Sequence, residues 1–369
     1  LLSKQTAIKE TFMQTNLPFY HRVLKQLRQW WPDERVTRQR NMALLMTGLY
    51  LSRAVHLALV VRVWPSRSKE PSLVNRLRRF LDNPRVDVRV WYRPVAVHLL
   101  QVFAAQQLRL VIDCTKVGLN FRLLTVSVAY RKRTLPLAWS VHRGSRGHVT
   151  VDHQLALLRY VHSLVPTHRD VWLLGDTGFQ TVPLVQWLCR HGWHFVLRQQ
   201  GRIKVQQPGQ PWRKLNQFDL APGQTQTIGW VRLTQKHNAG WFWLVLHWQK
   251  GHAEPWYLLS DHPGTAALLR LYRIRMWTEE MYGDLKGHGF DLEATHLDDE
   301  ARIERLVLGV CLTFVWLMAL GSWVVKKGYR HFVDHKSRRD KSYFRIGWDW
   351  LTRCLRLGDP VSFRFRPYP

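Results

Sequence analysis

Tyr272-Arg-Ile-Arg-Met-Trp-Thr-Glu-Glu-Met-Tyr-Gly-Asp-Leu-Lys286 is the stretch around which the rest of the chain can be read. Tyr272, Arg275, Glu279 and Lys286 stand at offsets 0, 3, 7 and 14 within it. At about 100° per residue, a helix points them toward about 0°, 300°, 340° and 320°, a stripe about 60° wide. A carboxylate flanked by two cations and a phenol suits a phosphate held together with a metal ion. The carboxylate serves the metal, and the other three groups grip phosphate oxygens. A solvated helix face with an i,i+4 pair between Arg275 and Glu279 gives the same spacing, so the stripe has to be weighed against the remaining sequence.

The chain has 369 residues, enough for two or three domains around a sizeable core. It carries 55 Lys+Arg against 26 Asp+Glu, a net charge of +29. Such a surface repels itself unless a polyanion shares it. Nucleic acid is the first partner to consider and an anionic membrane the second. Cys114, Cys189, Cys311 and Cys354 lie far apart and form no Cys-x-x-Cys pair, which argues against a disulfide framework or a zinc site. Residues 306–325 hold no charge and are followed by Lys326-Lys327, a pattern long enough to span a bilayer. Gly309, Thr313, Gly321 and Ser322 interrupt this run, and Arg302, Glu304 and Arg305 lead into it. A buried core helix is therefore the expectation, with no membrane partner.

Residues 1–100 read as a helical domain. Within it Leu73, Leu77, Phe80 and Leu81 form an apolar stripe, with Arg76 and Arg79 off it. This short cationic helix could follow DNA phosphates, and an ordinary solvated face fits it equally well. From residue 101 to 198 the pattern changes to apolar strands near 108–112, 124–130, 135–141, 171–174 and 193–198, with helices near 151–164 and 181–192. That order predicts an α/β fold with a mixed sheet. The basic turn His142-Arg-Gly-Ser-Arg-Gly-His148 offers Arg143, Arg146 and His148 for DNA contact. Residues 199–262, rich in Gln, Gly, Pro and Trp, read as a β-strand insertion. Residues 263–325 return to helices, and 326–369 read as a basic C-terminal tail.

Acids are scarce, so those ending apolar strands stand out: Asp113 after Leu-Arg-Leu-Val-Ile, and Asp176 after Val-Trp-Leu-Leu-Gly. Each alone could be a turn cap. Carboxylates at the C-terminal ends of buried strands also sit where α/β folds place ligand chemistry. Together with Glu279 they make hard oxygen ligands for Mg²⁺, with Mn²⁺ able to substitute. A pair of such ions activates an attacking oxygen and stabilises the leaving oxygen of a phosphodiester.

With these residues in place, the chain resembles the DDE transposases of bacterial insertion sequences, in particular the insertion-sequence-four group with its Tyr-x2-Arg-x3-Glu-x6-Lys signature. The signature is complete at Tyr272, Arg275, Glu279 and Lys286. Asp113-Cys114-Thr115 matches the group's Asp-x-Thr, and Gly175-Asp176-Thr177-Gly178-Phe179 matches its second acidic strand, with Thr177 standing where Arg is usual. The resemblance spans about residues 105–350. It implies an RNase H-like catalytic core with an inserted β domain, preceded by a helical DNA-binding domain. It implies catalysis and binding of two Mg²⁺ ions by Asp113, Asp176 and Glu279, and DNA-end contacts from Tyr272, Arg275 and Lys286. It further implies cut-and-paste transposition through a DNA hairpin, with Trp256 stacked on a flipped base. The partners implied are terminal inverted repeats, target DNA and a second copy of the chain in a homodimeric synaptic complex, in the cytoplasm at the bacterial nucleoid. A domesticated DDE nuclease and a non-catalytic DNA-binding descendant are the alternatives, and a packed strand aromatic is the alternative for Trp256.

Overall fold

The computed structural model describes residues 17–103, 107–144, 149–167, 169–237, 239–361 and 364–368. Its centre is a ten-stranded mixed sheet in the order β3-β2-β1-β4-β5-β10-β9-β8-β6-β7. β1 (Leu108–Val117), β2 (Phe121–Tyr130) and β3 (Arg133–Arg143) form an antiparallel meander. β4 (Val171–Gly175) and β5 (His194–Gln199) then add in parallel to β1, each reached through a helix: α6 (Val151–Leu164) before β4 and α7 (Val182–Arg190) before β5. Strands covered on both faces read as continuous apolar runs, and all five residues of β4 are buried.

The inserted strands do not form a sheet of their own. β10 (Trp256–Ser260) pairs antiparallel with β5, opposing Leu258 to Arg198, and so closes the edge that β5 would otherwise expose. β9 (Trp241–His247), β8 (Thr225–Leu233), β6 (Lys204–Gln206) and β7 (Arg213–Lys214) extend the sheet outward from there. The turn-rich composition of 199–262 marks the connections between these strands and carries no information on what the strands pair with.

Helices cover the meander end. The segment before β1 folds as α1 (17–30), α2 (Val36–Ser52), α3 (Leu57–Arg62), α4 (Glu70–Asp82) and α5 (Val88–Val102). On α4 the apolar stripe Leu73, Leu77, Phe80 and Leu81 is buried, while Arg76 and Arg79 face out. α10 (Glu300–Lys326) starts where Asp299 accepts a hydrogen bond from the Arg302 N–H at 2.8 Å, an N-cap that satisfies an orphan donor. It is long and apolar enough to cross a membrane, yet 94% of its most apolar window is buried inside the fold. α2, α4, α5, β3 and the helix at Tyr343–Leu357 surround it, so it has no continuous face for lipid. It serves as the core helix of this layer.

The expected basic tail is also different in the structure. Residues 343–357 form α11 (Tyr343–Leu357), capped by Ser342, whose side chain accepts from the Arg345 N–H. Phe344, Trp348 and Leu351 bury one face of α11 while its Arg residues point away. Contact with α10 is close enough that a Cβ on Gly321 would lie 1.8 Å from the Tyr343 carbonyl oxygen. High Lys and Arg content hid this i,i+4 apolar stripe: charge describes one face of an amphipathic helix, and burial is decided by the other.

Candidate active site

Asp113 was expected at a strand end, and it is one on only one side. β1 continues past it to Val117, paired throughout with β2, where Asp113 opposes Thr125. On the other side the last parallel pair is Ile112 with Gly175. Beyond that pair β4 leaves the sheet, and the next residue along it is Asp176. The two acids therefore flank the gap that opens where β1 and β4 separate, the position at which open α/β sheets bind ligands. Gly175 permits this convergence. A Cβ there would sit 2.9 Å from the Leu197 side chain and 3.1 Å from Phe179 Cβ. Asp176 is fixed by its own turn, Oδ1 accepting from the Gly178 N–H at 2.8 Å.

The Tyr272–Lys286 stretch forms two helices that meet at Arg275: α8 (Thr265–Ile274) and α9 (Met276–Leu285). Arg275 keeps helical dihedrals, φ −52 and ψ −37, so the direction of the stripe survives the junction. Its Nη1 donates to Asp113 Oδ2 at 2.9 Å and reaches Glu279 Oε1 at 3.4 Å. Lys286 ends α9. Its Nζ donates to Thr115 Oγ1 and pairs with Glu293 Oε1, both at 2.8 Å. Two of the four signature side chains, Arg275 and Lys286, thus reach β1 at Asp113 and Thr115, and Glu279 joins them through Arg275. Tyr272 is buried on the same sheet face, edge-on to Trp256 with ring centroids 4.9 Å apart.

Asp113 is only 5% exposed. Burial raises its carboxyl, the Arg275 guanidinium lowers it, the Asp176 charge raises it, the Cys114 N–H lowers it and Glu279 raises it, and together they leave it pushed up to about 7. For Arg275 burial opposes the charge, and Asp113, Tyr272, Asp176 and Glu279 outweigh it, so the net shift is upward. Glu280 points elsewhere, pairing at 3.0 Å with Arg133, which also holds buried Asp284 at 2.7 Å.

Trp256 is 9% exposed and packs between Tyr272 and His247; in this state its ring is a packed strand aromatic. Arg143 is engaged locally, its Nη2 donating to the Asp298 carbonyl at 2.9 Å and its guanidinium lying 5.1 Å from the Phe121 ring centroid. Arg146 and His148 lie outside the described residues. Arg76, hydrogen-bonded to Asn41 at 2.8 Å, and Arg79 line a groove of the helical layer with Thr37 and Arg38. They are not part of the acid cluster.

Arg198 and Glu293 join the site in the structure, although neither belongs to the sequence signature. Arg198 follows the β5 residue that opposes Gly175, which puts it in line with Asp176, and its charge acts on Tyr272. It ends an apolar run just as Asp113 and Asp176 do, so the strand-end pattern marks this cation in the sequence as it marks the two acids. The Nε atoms of Arg198 and Arg275 are both buried and find no acceptor among the described residues. Glu293 carried no sequence signal; the turn after α9 brings it to Lys286. Among the described residues, no three His, Cys, Asp or Glu groups stand at metal-holding spacing. In place of such a cage, the Arg275 guanidinium bridges two of the three acids.

The family model described as "Transposase DDE domain" matches residues 109–316. No curated protein matches the chain. Among solved structures, the cryo-EM structure of a piggyBac transposase synaptic complex with hairpin DNA is similar over 96% of this chain and 82% of that one, at 12% identity and a TM-score of 0.43.

Proposed function

The chain belongs to the transposase DDE domain family, and from that premise we propose that it is a cut-and-paste DNA transposase of the insertion-sequence-four group, with Asp113, Asp176 and Glu279 as its cleavage centre. The observation that carries this reading is the ion pair between Asp113 on β1 and Arg275 at the head of the Glu279 helix, made beside the gap that Asp176 also flanks. An antiparallel meander continued by two parallel strands, in the order β3-β2-β1-β4-β5, supports an RNase H-like core. The helices before it are proposed to bind terminal inverted repeats, and two copies of the chain to hold the two DNA ends.

The donor chemistry suits a hard divalent cation. Asp113, Asp176 and Glu279 supply oxygen ligands, and the upward push on Asp113 reflects a buried acid crowded by two others. Bound Mg²⁺ would activate an attacking oxygen and neutralise charge developing on the phosphate. For these acids to turn to a metal, Arg275 has to release Asp113 and Glu279. Its guanidinium then becomes available to a phosphate, where its unpartnered Nε and that of Arg198 would find acceptors. Lys286, held by Thr115 and Glu293, is placed to contact the same DNA end. Plasmid nicking in Mg²⁺ by the purified chain tests the proposal, and a protein that binds DNA without nicking it overturns it.

DNA binding is proposed to rest mainly on phosphate contacts. With about ten phosphates neutralised, log K should fall against log[salt] with a slope near −9. A slope shallower than about −3 would assign the net charge of +29 to another purpose.

Trp256 is proposed to stack on a base extruded at a DNA hairpin, which requires that it turn from Tyr272 to present its ring. Trp256→Ala is expected to nick the first strand normally and to form hairpins about ten- to a hundredfold more slowly, the equivalent of about 1–3 kcal/mol of stacking. Trp256→Phe should recover much of the loss. Equal slowing of both steps would make Trp256 a packing residue only.

A further inference from the structure

The far end of the sheet carries a surface that the acid cluster does not use. On β8 and β9, Trp230 opposes Trp243 and Arg232 opposes Trp241. Residues opposed across a ladder share a face. On β6, Gln206 opposes Arg232 and Lys204 opposes Lys214, so the two-residue period brings both lysines to that face as well. The other face, with Val205, Val231, Leu233, Phe242 and Leu244, is buried in the core. On the outer face Trp230 is 42% and Trp241 43% exposed. The Arg232 guanidinium lies 5.1 Å from the Trp241 ring centroid, and Trp230 stands edge-on to Trp243 at 5.7 Å.

A solvated sheet face usually alternates polar side chains with the apolar ones beneath it. This one presents two open indoles among cations, in a segment (199–251) that holds Arg202, Lys204, Arg213, Lys214, Arg232, Lys236 and Lys250 against a single acid, Asp219. The matching ligand is a polyanion that also offers flat aromatic rings. A duplex keeps its bases stacked on one another; a single strand has ring faces free. A second copy of the chain matches poorly, because a two-fold contact would set this cationic face against itself. We propose that the Trp230–Arg232–Trp241 face binds unpaired DNA, the indoles stacking on bases while Lys204, Lys214 and Arg232 take phosphates. This surface adds to the proposed function: it shares no residue with the acid cluster, although Trp243 beneath it packs into the same apolar cluster as Trp256 and Tyr272.

The test is binding of a labelled 20-nucleotide oligothymidylate to the full chain in EDTA, with a blunt, fully paired duplex of two annealed strands as comparison. Trp230→Ala and Trp241→Ala should each weaken oligothymidylate binding about fivefold or more, the pair more than either alone, with a smaller loss for the duplex. Trp→Phe at both positions should keep most of the affinity. The combined variant Lys204→Gln, Lys214→Gln and Arg232→Gln, exposed positions that leave the core intact, should reduce the salt slope by about 2. Unchanged oligothymidylate affinity in the double Ala variant overturns the proposal, as does an equal loss on duplex. Light scattering that shows a dimer broken by these substitutions at unchanged oligothymidylate affinity also overturns it, and makes the face a contact between copies. Plasmid nicking by the unmutated chain keeps the two readings apart. Nicking without oligothymidylate binding removes this inference alone, and indole-dependent binding without nicking removes the transposase reading alone.

Discussion

Asp113→Asn, Asp176→Asn and Glu279→Gln are each expected to slow plasmid nicking in Mg²⁺ by about a thousandfold or more, equivalent to about 4 kcal/mol of transition-state stabilisation. Each amide keeps the shape of its acid and removes one anionic oxygen from the cluster around Arg275. Duplex binding should persist, because phosphate contacts come from the cations and their net charge rises slightly. Glu280→Gln is the control. Glu280 adjoins Glu279 in sequence, but its carboxylate pairs with Arg133 on β3, and nicking should stay within a few-fold of the unmutated rate. A Glu279→Gln protein that nicks normally, with a Glu280→Gln protein that does not, would exchange their roles.

The second large effect is one of stability, and the same acid produces it. Burial in the fold pushes the Asp113 carboxyl up to about 7, against about 3.9 for an unfolded aspartate. The raised value means that the folded state holds the proton more tightly. Below about pH 4 both states are protonated and Asp113 adds no penalty. As pH rises from 4 to 7 the unfolded chain gains by ionising while the folded chain resists. Above pH 7 the folded state is expected to carry a penalty on the order of a few kcal/mol. At 5% exposure little solvent screening reduces it. In EDTA at pH 8, Asp113→Asn should therefore be the more stable protein, by up to about that amount, and the difference should shrink toward zero as pH falls to 4. Urea midpoints of the two proteins at pH 5 and pH 8 measure it. Parallel pH dependence in both would show that ionising Asp113 costs the fold nothing. Mg²⁺ at pH 8 should narrow the gap by binding the acid only in its folded, ionised form.

Both expectations start from residues that were visible in the sequence. Asp113 and Asp176 could be picked out because acids are few and each follows an apolar run, and short apolar runs, with period-two alternation at 124–130, located all five strands of the first half of the core. The offsets of Tyr272, Arg275, Glu279 and Lys286 were legible because helical geometry is local, and they survive even though the stretch is divided between two helices. The buried nature of 306–325 could also be anticipated, from the glycines and hydroxyls within it. Each of these readings depends on residues within a turn or two of one another, the range over which backbone geometry fixes direction.

Pairings between distant segments were decided only in the folded chain. Whether the strands of 199–262 form a sheet of their own or continue the core depended on β10 finding the free edge of β5. The fate of the basic C-terminal segment depended on Gly321 allowing α11 to approach α10. At the site, Arg275 lies between Asp113 and Glu279, Tyr272 packs on Trp256, and Glu280 turns to Arg133. Composition and spacing determine which groups are available and on which face of an element they stand. Which of them meet, and so whether an acid is free, paired or pushed up to pKa 7, depends on desolvation and Coulomb terms that exist only once separate segments are packed together.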